Sequence, residues 1–121
     1  MDMAFPGNYN IRYYQGDLYE FNIYPKTTNG SAFDLTGYST KFFIATARGS
    51  GATQFECLAE IVDNAIVCKI PGGVGKTLTA GTSYVYDVQI KKPVAGSADK
   101  IYTLLTGDVT VRADVTRMSG D

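Results

Sequence analysis

The run Gly72-Gly73-Val74-Gly75-Lys76-Thr77 sets paired glycines, a lysine and a hydroxyl in the order used by loops that hold a nucleotide phosphate. In such loops the glycines bring backbone N–H groups to the anion, the lysine balances its charge and the hydroxyl meets Mg2+. The loop must also open a helix, whose N-terminal N–H groups complete the cradle. Here the glycine required six positions before the lysine is replaced by Ile70. A variant loop with a lysine just ahead of its paired glycines finds Pro71 instead. Leu78-Thr79-Ala80-Gly81 leaves room for one helical or 3₁₀ turn before Tyr84, Val85, Tyr86 and Val88, a β-branched and aromatic stretch that reads as a strand. The segment is therefore predicted to be a glycine-rich turn between two strands, with Pro71 ending the first.

Other reactive groups are sparse. Histidine is absent, which removes the commonest general base near neutral pH, the commonest metal ligand and every serine–histidine or cysteine–histidine pair. Asp108 and Asp114 fall on one face of a predicted strand but about 20 Å apart. Asp17, Asp34 and Asp63 suit local backbone bonds at turns. Calcium-loop spacing does not occur. Cys57 and Cys68 flank a predicted two-residue turn at Asp63-Asn64. That turn sets Ile61 opposite Ile66, Ala59 opposite Cys68 and Cys57 opposite Ile70, all on one buried face with Phe55. Diagonal neighbours make a poor disulfide, so both cysteines read as free, packed thiols. The expectation is a non-enzyme with no catalytic residue, no cofactor and no metal.

The elements that carry these groups have period two. Tyr19, Phe21 and Ile23 alternate with Glu20 and Asn22; Phe42 and Ile44 follow Thr40 at the same spacing; Tyr84, Tyr86, Val88 and Ile90 alternate with Asp87 and Gln89. Val109, Val111, Ala113 and Val115 continue the pattern. Strands are predicted near 9–14, 17–24, 38–46, 54–62, 65–70, 83–92, 100–106 and 108–116, with a short one at 33–35. At 121 residues the chain is one domain's worth. Its net charge of −1, with acids and bases interspersed, argues against a nucleic-acid partner. No apolar run approaches the ~20 residues of a membrane helix, and the first residues lack the features of a secretion signal. The expected fold is all-β: a single antiparallel β-sandwich of immunoglobulin or fibronectin III-like type, with seven to nine short strands. Residues 1–14 read as an arm and first strand, 15–117 as the sandwich and 118–121 as a tail.

Leu78-x-x-Gly81-x-x-Tyr84 resembles the turn before the penultimate strand of fibronectin III and immunoglobulin-like domains. The resemblance implies that Leu78 plugs the end of the core and Gly81 lets the chain reverse. Tyr84 would pack inward and bond a backbone group upstream, as in a tyrosine corner. A wider resemblance runs from about residue 15 to 117, through Gln15-Gly16-Asp17, Asp34-Leu35-Thr36-Gly37-Tyr38, Tyr86-Asp87-Val88-Gln89 and Leu105-Thr106-Gly107-Asp108-Val109-Thr110-Val111. In order and spacing these phrases are similar to small virion proteins of tailed bacteriophages. That group includes N-terminal modules of the baseplate upper protein type and other tail- or capsid-associated β-sandwiches.

The resemblance implies a structural role in the virion. The protein would be a capsid decoration or cement, or a tail, neck or baseplate accessory subunit. Its partners would be the major capsid or tail and baseplate proteins, with many copies or a homo-oligomer and neither nucleic acid nor membrane. Nine tyrosines and six phenylalanines exceed what a core of this size needs. Phe5, Tyr9, Tyr13, Tyr14 and Tyr24 are the candidate interface, because tyrosine buries area while keeping a polar tip. Phe5-Pro6-Gly7-Asn8 reads as an extended arm suited to a neighbour's sheet edge. The competing expectation is a recognition module that binds glycan or peptide through tyrosine and asparagine side chains at its loop tips.

Overall fold

The computed structural model describes residues 7–49 and 51–113. In chain order it contains β1 (Gly7–Asn8), β2 (Ile11–Tyr14), β3 (Tyr19–Ile23), β4 (Ser39–Ala45), β5 (Gln54–Glu56), β6 (Leu58–Val62), β7 (Ala65–Ile70), a helical turn α1 (Gly72–Gly75), β8 (Ser83–Lys92) and β9 (Lys100–Arg112). One sheet has the order β9-β8-β4-β5, with β1 and β2 both on the outer side of β9. The second has the order β3-β7-β6. This is an all-β sandwich.

Alternation decides which side chains meet between the layers. Phe42 and Ile44 of β4, Tyr84, Tyr86, Val88 and Ile90 of β8, and Val109 and Val111 of β9 are all buried. Ile66, Cys68 and Ile70 of β7 close on them from the other sheet. Edge-to-face rings link the two layers, with Phe21 of β3 5.5 Å from Phe42 and 6.4 Å from Tyr86.

The larger sheet is mixed, which corrects the expectation of a purely antiparallel sandwich, whereas β3-β7-β6 is antiparallel throughout. β1 and β2 run parallel to β9, with Gly7 opposite Leu105 and Ile11 opposite Val109. Ile11 and Tyr13 lie in the core, so the first strands belong to the sandwich itself. Gly7 and Asn8 of the expected arm pair with β9 of their own chain, and Phe5 and Pro6 lie outside the described residues.

Gly107 does not end a strand, as its position in the sequence suggested. β9 runs unbroken from Lys100 to Arg112, with an irregularity in its pairing to β8 between Val88 and Gln89. Glycine is needed at 107 because the chain between β1 and β2 crosses directly over it. A Cβ at that position would lie 2.2 Å from the Tyr9 carbonyl oxygen. Tyr9 donates its N–H to the Thr106 carbonyl, and the Asp108 N–H donates to the Asn10 side chain.

The predicted strand at 54–62 divides. β5 pairs with β4 in one sheet and β6 pairs with β7 in the other. Cys57 is the switch residue, and its N–H donates to the Phe42 carbonyl at 2.9 Å. The Asp63-Asn64 turn sets the register foreseen for Ile61–Ile66 and Ala59–Cys68. Both turn residues have the positive φ of a tight hairpin, 49° and 60°. Cys57, however, leaves the sheet before it can face Ile70, and Phe55 belongs to the other layer.

Phe33 and Leu35 are buried but form no strand. Their backbone is held by a side chain instead. The Asn64 amide accepts from the Leu35 N–H and donates to the Phe33 carbonyl, both at 2.8 Å. An amide clamp from a distant hairpin turn thus replaces the ladder that the apolar pattern at 33–35 suggested.

Candidate binding surfaces

Pro71 N-caps α1 with extended backbone, and the one helical turn lies at 72–75 rather than at 78–81. The N–H groups from Val74 to Leu78 are already used. Val74 and Gly75 donate to Pro71, Lys76 to Gly72, Thr77 to Val74 and Leu78 to Gly75. A phosphate cradle needs several of these donors directed at the anion. The glycines answer to packing instead. A Cβ on Gly72 would lie 2.8 Å from the Gly16 carbonyl oxygen, and one on Gly75 would lie 1.6 Å from the Tyr13 hydroxyl. Lys76 and Thr77 are exposed.

The other half of this segment forms the expected corner. Leu78 is fully buried, Gly81 has a φ of 83° and donates its N–H to the Val111 carbonyl, and Tyr84 packs inward. The Tyr84 hydroxyl accepts from the Thr79 N–H at 2.8 Å. The Gln15 side chain completes the corner by donating to the Leu78 carbonyl at 2.7 Å. Tyr84→Phe is expected to lower stability by about 0.5–1.5 kcal/mol, because it orphans the Thr79 N–H. Lys76→Ala should change it by less than about 0.5 kcal/mol. Paired thermal or denaturant melts check both; the reverse ranking would mean that the lysine, not the corner, organises this segment.

Four of the five candidate interface aromatics fall on described residues, and they do not act as one group. Tyr13 is a correction: it is 1% exposed, and its hydroxyl donates to the Asp17 carbonyl. Its place in β2 turns it into the core, between Gly75 and the β2–β3 turn. Tyr9, Tyr14 and Tyr24 are exposed by 46%, 50% and 62%. Phe5 lies outside the described residues. The Tyr9 ring spans the seam between the sheets, 6.3 Å from Phe21, with its hydroxyl 2.9 Å from that of Tyr19. Burial and that bond push the Tyr19 phenol up to about 12. Leu18, beside Tyr19 in sequence, is 62% exposed. The sequence pattern missed it because it falls in a turn, outside any alternating run.

The loop tips are less available for recognition than their composition suggested. The Asn29 side chain accepts from the Ser31 N–H and from the Thr27 hydroxyl, and the Asn64 amide clamps residues 33–35. Asp34 likewise accepts from the Thr36 N–H at 3.0 Å, and bonds from the Thr36 side chain and backbone, the side chain foremost, hold its carboxyl below the usual range.

A surface that sequence reasoning did not single out lies on the solvent side of the larger sheet. Lys41, Phe43 and Ala45 of β4 and Val85, Asp87 and Gln89 of β8 line a groove of about 260 Å3. The β4–β5 loop walls it. From that loop Arg48 reaches across to Asp87 at 2.9 Å and to the Thr106 hydroxyl at 2.6 Å. Lys41 pairs with Glu56 at 2.9 Å. Only Phe43, a large aromatic on the outward phase of β4, hinted at it.

Cys57 and Cys68 are free and buried. Burial raises both thiols from 9.0 to about 12. The core thus holds the neutral thiol, so the contribution is whole below about pH 9 and is lost as pH rises towards 12. We expect unfolding midpoints to fall steeply over that window, and thiol reagents at pH 8 to react only as fast as the protein opens. Rapid labelling of the native protein at pH 8 would contradict this packing. Among the described residues no group of three histidine, cysteine, aspartate or glutamate side chains is placed to hold a metal ion, and no helix is long and apolar enough to cross a membrane.

The chain matches no protein-family model and no curated protein.

Proposed function

We propose that this protein is a non-enzymatic structural module of a tailed-phage virion that works through protein–protein contacts. It would serve as a capsid decoration or cement subunit, or as an accessory subunit of tail, neck or baseplate. The observation that carries this reading is the set of large aromatic and aliphatic side chains left exposed around a complete core, along the β1–β3 segment and, at Leu58, Val62 and Ile101, beyond it. Tyr9, Tyr14, Leu18 and Tyr24 are each about half exposed or more, although the core is complete without them. Large side chains of this kind dominate binding energy when a partner covers them. The order of Asp34–Tyr38, Tyr86–Gln89 and Leu105–Val111, similar to small virion β-sandwiches, supplies the biological setting.

Mass spectrometry of purified particles with copy counting tests the setting. Hundreds of copies would favour a capsid decoration, and a multiple of six or twelve a tail or neck part. The surface is tested by Tyr14→Ser and Tyr24→Ser, which should leave the melt nearly unchanged while reducing incorporation into particles. A chain absent from particles and monomeric at high concentration would overturn the reading.

A further inference from the structure

We infer that the groove around Phe43 is a binding site for a neutral, hydroxyl-rich ring ligand: a sugar of one or two pyranose units. This goes beyond the structural role proposed above and does not depend on it.

The pleat places Phe43 at the centre of a lattice of polar side chains. Glu56 on β5 and Asp87 on β8 are its direct cross-strand partners. Lys41 and Ala45 precede and follow it on the same face, with Gln89 opposite Lys41 and Gln54 opposite Ala45. An aromatic ring is thus edged by carboxylate, amide, ammonium and guanidinium groups. A sugar offers the matching chemistry: an apolar face of C–H bonds for the ring and a rim of hydroxyls that both donate and accept.

Three further features narrow the ligand class. The charges are already balanced, since Lys41 is paired with Glu56 and Arg48 with Asp87. An anionic or cationic ligand would meet charge that is already neutralised, with the opposite sign beside it. The paired groups still offer further acceptor and donor positions to neutral hydroxyls. Next, the backbone of the floor is closed. β4 is paired on one side with β5 and on the other with β8, and β8 with β9. The floor strands β4 and β8 thus offer an extended peptide no free edge, the nearest being that of β5 at the rim, so a ligand on the floor must be held by side chains. Finally, the groove volume of about 260 Å3 lies just under the range of about 300–1,000 Å3 that suits drug-sized molecules.

The amides are placed to select. Gln89 makes one long bond of 3.4 Å, to the Thr103 hydroxyl. Gln54 lies exposed across the groove, on the edge strand. Each can turn an amide oxygen and an NH2 group towards adjacent hydroxyls of one ring.

Amide-resolved NMR titration of the whole chain with galactose, N-acetylglucosamine and maltose tests the assignment. A neutral Gly-Ser peptide serves as the control. Saturable shifts are expected with at least one sugar, centred on residues 41–45, 54–56 and 85–89, with half-saturation in the millimolar range typical of a weak small site. Phe43→Leu keeps apolar bulk on the strand and should weaken binding about tenfold or more. Gln89→Ala should weaken it roughly fivefold, the loss of about one net hydrogen bond. If Phe43→Leu proves unfolded, Gln89→Ala together with Gln54→Ala, both at exposed positions, decides the matter. The inference is overturned by no response to any of the three sugars at tens of millimolar. It is equally overturned by shifts that map elsewhere, by an equal response to the peptide, or by variants that bind like the parent chain. Copy number in particles reads the structural role separately, so the two can fail independently.

Discussion

Tyr86→Ala should cost about 3–5 kcal/mol of unfolding free energy, the range for emptying a fully buried aromatic site. Tyr86 is 1% exposed and lies at the centre of the sandwich, 5.7 Å from Phe42 and 6.4 Å from Phe21 across the layers. Its hydroxyl also donates to the Tyr9 carbonyl, the point where the β1–β2 crossing rests on Gly107. Truncation therefore opens a cavity and releases the crossing at once. Tyr86→Phe separates the two effects: it keeps the ring and loses only the bond, at about 0.5–1.5 kcal/mol. Chemical denaturation of both variants measures the difference. A cost for Tyr86→Ala no larger than that for Tyr86→Phe would mean that the ring does not hold the layers together. Burial raises the Tyr86 phenol, so its ionisation adds to the loss of stability expected at alkaline pH.

Gly75→Ala should destabilise by about 1–3 kcal/mol, while Gly73→Ala, two residues away, should be neutral or stabilising by up to about 1 kcal/mol. The opposite signs come from what each new methyl group meets. At Gly75 it would fall 1.6 Å from the Tyr13 hydroxyl and 2.5 Å from the ring carbon that bears it, and Tyr13 is held in the core. At Gly73 nothing lies within 4 Å. The gain there is the usual one from restricting the unfolded chain at a position where helical backbone suits alanine. Tyr13→Phe removes the atom in closest conflict, so Gly75→Ala should cost less in that background. Thermal melts of the four proteins test this coupling. Additive effects would show that Gly75 and Tyr13 do not meet.

The two glycines also mark how far the sequence could be read. Gly72-Gly73-Val74-Gly75-Lys76-Thr77 is legible as a turn, because Ile70 and Pro71 spoil the phosphate pattern and a strand follows. It does not reveal why glycine stands at 72 and 75, since the cause lies in residues 13 and 16 on a different part of the chain. The corner of Leu78, Gly81 and Tyr84 was legible for the opposite reason. The hydroxyl of Tyr84 meets a backbone N–H only five residues away, so spacing along the chain specifies the geometry. The Phe43 groove was not legible, because its lining comes from three strands and a loop that meet only in the folded sheet.

The sequence alone determined the all-β sandwich, most strand positions, the Asp63-Asn64 register and the inward set of side chains on β8. All of these follow from the two-residue period and from local turn chemistry, which act between near neighbours. Only tertiary structure decided the parallel docking of β1 and β2 on β9, the change of sheet at Cys57, the amide clamp of Asn64 on residues 33–35 and the burial of Tyr13. Each depends on a contact across long stretches of chain, where alternation says that a side chain or strand is half buried but not what covers it. Tyr13 and Tyr14 make the difference plain. They are the same residue type, side by side in β2, yet Tyr13 is 1% exposed and Tyr14 50%. The pleat sends them to opposite faces, and the sandwich lays its second sheet over only one of those faces.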